Sequence, residues 1–79
     1  MKAVEVTARF TPQGEITPLE FEVDSARVVV QTSGRRWTTE KGIHILVLDT
    51  TSRAHHLLFV PGQSLWYLIQ DLEPPARPV

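Results

Sequence analysis

Cysteine is absent from this chain of 79 residues, so neither a disulfide nor a thiolate zinc site supports the fold. Stability must come from packing alone. No apolar run approaches the ~20 residues that span a bilayer, and no basic segment followed by an apolar stretch opens the chain. A cytoplasmic protein without membrane contact is the expectation. Net charge is nearly absent as well, at −1 with a pI of about 6.3. This argues against nucleic-acid binding through an overall field and leaves a local patch open. Helical periodicity is also missing, because proline, glycine or β-branched residues interrupt every i, i+3, i+4 pattern.

A chain of this size buries only roughly 60% of its unfolded surface, so most apolar side chains are needed for one core. Little is left to line a deep cavity of roughly 300 Å³ or more. Residues 1–72 are expected to form a single domain, and residues 73–79, with three prolines, a disordered Pro-rich tail.

What remains reads as short strands. Val4, Val6, Ala8 and Phe10 alternate with Glu5, Thr7 and Arg9, which is a half-buried strand. Thr11-Pro12-Gln13-Gly14 is turn chemistry. Pro18 is expected at or before the start of the next strand, with Leu19, Phe21 and Val23 inward against Glu20, Glu22 and Asp24 outward. Asp24-Ser25-Ala26 reverses the chain, and Val28 and Val30 return inward with Val29 outside. Thr32-Ser33-Gly34 is expected to break that strand and Glu40-Lys41-Gly42 to make a turn. Ile43 to Asp49 is apolar on both faces apart from His44 and predicts a central strand. An odd-length loop onto Ala54–Val60 would align Ile43, Ile45 and Val47 with Phe59, Leu57 and His55. Pro61 to Ser64 turns into a last strand, Leu65 to Ile69. The sum is an all-β fold, a small antiparallel β-barrel or roll of about six short strands, SH3-like in size.

Chemistry is sparse. His44 and His56 share a strand face, yet no cysteine or placed carboxylate completes a metal set. Glu20, Glu22 and Asp24 read as a solvated face. Ser25, Ser33, Ser52 and Ser64 lie in turns without a nucleophile signature. Nothing implies an enzyme, a cofactor or a small-molecule substrate. The remainder is the basic and aromatic cluster Arg35, Arg36, Trp37 and Lys41, a possible single-strand platform. Against this, Trp37 is expected as a core anchor and the arginines as partners of acidic or aromatic groups. Trp66 and Tyr67 point to opposite faces, so only one enters the core and Tyr67 joins the candidate contacts. A non-enzymatic interaction module is expected, with a protein partner or self-association through an open edge strand. The alternative is a single-stranded nucleic-acid-binding accessory domain using Arg35, Arg36, Trp37 and Lys41.

Phe21, Trp37, Phe59 and the run Trp66-Tyr67-Leu68 resemble the pattern of a small bacterial β domain. That domain occurs alone and at the C-terminus of Y-family DNA polymerase-like translesion proteins. Val23, Ser25 and Val28 depart from it, standing where that domain usually has Trp, Gly and an aromatic. The resemblance rests on packing residues and implies a β fold and a non-catalytic accessory role in a DNA-repair setting.

Overall fold

The computed structural model describes residues 1–69, and the expected tail at 73–79 lies outside them. Six strands follow in order: β1 Lys2–Phe10, β2 Ile16–Val23, β3 Ala26–Thr39, β4 Gly42–Asp49, β5 Ala54–Val60 and β6 Leu65–Ile69. They close antiparallel into a barrel in chain order, with β6 returning to β1. The expected all-β barrel is the one found. No described residue is helical, and no helix is long and apolar enough to cross a membrane.

The inner face follows from the alternation of side chains along each strand. Ile16, Phe21, Ile45, Val47, Leu57, Trp66 and Leu68 form the buried cluster, with Val4, Val6, Ala8, Val28 and Phe59 packed against it. Register between β4 and β5 pairs Ile43 with Phe59, Ile45 with Leu57 and Val47 with His55, as the odd loop predicts. Phe10, expected inside, is 59% exposed. It ends β1, and its ring meets Phe59 edge-on at 5.9 Å.

Three local irregularities depart from simple alternation. Pro18 is not at the start of β2; it lies inside the strand, fully buried. Register with β1 slips there, Thr7 pairing with Glu20 and Ala8 with Pro18, so Leu19 is the extra residue of a bulge and turns outward. The bulge tolerates proline because the β2–β3 ladder spans only Glu20–Val23 and needs no donor from it. Asp24 and Ser25 take φ of 52° and 65°, the two-residue turn whose twist suits a hairpin.

The expected break at Thr32-Ser33-Gly34 is instead a bend. β3 runs unbroken for 14 residues, pairing with β2 up to Val29 and with β4 from Val30 onward. Its register slips by one between Val30 and Thr32 and again between Ser33 and Arg36. Ser33, between the two slips, keeps a buried hydroxyl with no partner.

Two substitutions test this framework. Gly42 has φ +146° and a Cβ there would sit 2.2 Å from the Phe59 carbonyl oxygen. Gly42→Ala is expected to lose about 2–3 kcal/mol in denaturant unfolding, while Gly62→Ala, which meets open space, stays near wild type. Ser33→Ala removes an unsatisfied hydroxyl and is expected to be neutral or to gain up to about 1 kcal/mol in the same measurement.

Candidate interaction surface and barrel mouth

The outer face of β3, β4 and β5 carries the basic and aromatic cluster. Trp37 pairs across to His44, His44 to Leu58, and Leu58 to Tyr67, so one row of side chains crosses the sheet on its outside. The Trp37 ring stacks flat on His44, centroids 4.9 Å apart and planes within 4°. His56 lies tilted against both rings. Thr39 Oγ1 is 2.8 Å from His44 Nε2, and His44 Nδ1 is 2.9 Å from His56 Nε2. Of those last two nitrogens one must carry the hydrogen and the other accept it. The imidazoles therefore hydrogen-bond to each other, and the described residues hold no group of three or more metal-ligating side chains.

Trp37 is thus not the inner anchor expected. It is half-buried on the outside. Val28 and Val30 set even positions inward, and the two slips in β3 cancel, so odd Trp37 faces out and even Arg36 faces in. Arg36 accordingly leaves the cluster: its Nη1 donates to the Ile16 carbonyl at 2.7 Å, bridging the seam where β3 has left β2. Arg35 stays outside, its guanidinium 5.4 Å over the Trp37 ring. Lys41 is exposed in the β3–β4 turn, where its backbone N–H donates to Thr39 Oγ1. Tyr67 is half-buried and its hydroxyl donates to Gln63, while Trp66 takes the core place. The three cations therefore do not make one patch, and Trp37 already holds two imidazoles and a guanidinium.

Beside this cluster runs an apolar groove of about 300 Å³ lined by Thr32, Gly34, Arg35, Leu46, Leu48 and Ala54. Register places Thr32, Leu48 and Ala54 abreast on the outer face. The Glu20, Glu22 and Asp24 row is solvated as read, with Asp24 paired to Lys2 at 2.7 Å and Glu20 near Arg27 at 3.8 Å.

A second site lies at the barrel mouth and centres on a residue the sequence reading passed over. Asp49 ends β4 facing inward and is 6% exposed. Its Oδ1 accepts from the Thr51 N–H, the Thr51 hydroxyl and the Arg53 N–H at 2.7–3.0 Å, and its Oδ2 from His55 Nε2 at 2.8 Å. A carboxylate only accepts, so His55 Nε2 carries the hydrogen. These bonds, the one from His55 foremost, hold the Asp49 carboxyl well below the usual range despite its burial. The signal was present: aspartate followed two residues later by threonine at a strand end is a side-chain-capped turn. His55 faces inward as expected, its ring edge-on to Phe21 at 5.2 Å. Around the pair opens a depression of about 680 Å³. This room lies at the edge of the core, between the β4–β5 loop and the β2–β3 hairpin.

Because folding lowers the Asp49 pKa, the stability it contributes is whole above the unfolded value of about 3.9 and drains as pH falls below it. Thermal unfolding at a series of pH values is expected to show a falling midpoint below about pH 4. Asp49→Asn is expected to lower the midpoint at neutral pH and to flatten that acid slope. No family model, no curated protein and no solved structure matches the chain.

Proposed function

We propose that this protein is a non-enzymatic interaction module that binds protein through the outer face of β3–β5, with self-association as its simplest form. The observation that carries the reading is the groove lined by Leu46, Leu48 and Ala54, which no described element covers. Closure of the barrel redirects the expected mode of contact. Every strand has a neighbour on both sides, so no whole edge strand is offered, and the face rather than an edge is what a partner meets. A net charge of −1 adds little self-repulsion to oppose association. In a two-fold pair the same groove meets itself, and Arg35 at its end selects an acidic or aromatic group opposite. A cytoplasmic setting and an accessory role beside translesion proteins belong to this proposal.

Arg35 over Trp37 also supports a second reading, a single-strand contact reduced to Arg35, Trp37 and Lys41. The two readings separate experimentally. For the first, the light-scattering mass rises with protein concentration, and Leu48→Asp returns it to the monomer without loss of the folded spectrum. A strict monomer at every concentration overturns self-association. For the second, an oligonucleotide at low salt quenches Trp37 fluorescence, and Arg35→Ala removes the effect.

A further inference from the structure

The barrel mouth carries a combination that the interaction surface does not use. One part of its wall is apolar: Val23 and Val28 at the inner rim and Val29, 44% exposed, on the outside of β3. Two arginines, Arg27 and Arg53, also line the mouth. The Arg27 side chain is 68% exposed, and its one ion pair among the described residues is with Glu20, at 3.8 Å. Arg53 serves the fold through its backbone N–H, which donates to Asp49. Its side chain enters none of the ion pairs or hydrogen bonds among the described residues.

The Asp49 carboxylate keeps its negative charge, but its hydrogen-bonding capacity is largely taken up within the β4–β5 loop. Both oxygens of Asp49 are occupied, by four donors in all, so it has little left to offer a cationic ligand. The mouth is therefore donor-rich where it is free and acceptor-rich only where it is already satisfied. At about 680 Å³ it lies in the range of small-molecule sites, and barrel mouths are among the places where such sites occur. A guanidinium binds planar carboxylate and phosphate oxygens through paired N–H donors, while the valines have no polar atoms to orient anything.

We propose that the mouth of the barrel is a binding site for a small amphiphilic anion. Its apolar body lies on Val23, Val28 and Val29, and its carboxylate or phosphate is held by Arg53 and Arg27. The Asp49–His55 pair keeps the β4–β5 loop, and with it Arg53, in place; it is a positioning element and not a contact to the ligand. This site is separate from the β3–β5 face, so either assignment can fail without the other.

Titration of the labelled full chain with octanoate, octyl phosphate, octanol and octyltrimethylammonium, followed by amide NMR shifts, tests this. The two anions are expected to move the amides of Val23, Val28, Val29 and Arg53 in a saturable way, and whichever binds more tightly identifies the headgroup. Octanol and the ammonium are expected to bind at least roughly tenfold more weakly, the loss of a charge-assisted contact. Arg53→Ala keeps the backbone bond to Asp49, so it is expected to fold while weakening octanoate roughly five- to tenfold. Leu48→Asp, on the other face, is expected to leave octanoate binding unchanged. Octanol binding as tightly as octanoate, shifts confined to another surface, no shift at all, or an Arg53→Ala variant that binds as wild type would each overturn the assignment.

Discussion

The fold depends on one strand belonging to two ladders. A barrel of six short strands closes only if somewhere the sheet turns through a large angle, and here β3 does this by pairing first with β2 and then with β4. Two single-residue slips let it bend without stopping. Because each slip exchanges the faces, two of them restore the original phase. Even-numbered positions before the bend and after it thus point to the same side, Val28 and Val30 ahead of it and Arg36 beyond it. The cost is local, a buried serine hydroxyl without a partner.

That same bend distributes the polar chemistry. Where β3 leaves β2 the ladder has a gap, and Arg36, though exposed, spans it with a side-chain bond to a strand carbonyl, so one of its donors is committed to the barrel. Trp37, next along, is placed outside with nothing of the core to cover it and is covered by histidines of the neighbouring strands. At the opposite end of the β4–β5 hairpin Asp49 gathers the loop around its carboxylate. The two polar clusters lie on either side of one sheet because alternate residues of β4 serve each: His44 outward, Asp49 inward.

Much of this was legible in the residues. Alternation located β1, an apolar run on both faces located β4, turn signals bounded β5 and β6, and the register of the β4–β5 hairpin followed from keeping apolar sets together. Parity put Trp66 and Tyr67 on opposite faces, and the structure gives the core place to Trp66. Failures occurred where one inserted residue changes a strand's phase, as at Leu19, or where small polar residues that ordinarily end a strand occupy a bulge, as at Ser33 and Gly34. Nothing local distinguishes those two outcomes, since they are decided by the distant partner strand. Of the candidate site, the sequence placed Arg35, Arg36, Trp37 and Lys41 together, and only three-dimensional pairing could separate Arg36 from the rest. Asp49 was passed over because a loop-closing aspartate and a buried hub share one local signature.

The placement of the two tryptophans makes the molecule its own pair of reporters. Trp66 is sealed within the barrel, so its emission answers to the integrity of the whole fold. Trp37 lies against two imidazoles and a guanidinium on the outside, so its emission answers to what happens on that face. A chain bearing one or the other alone would register unfolding and surface events on separate channels, without any added label.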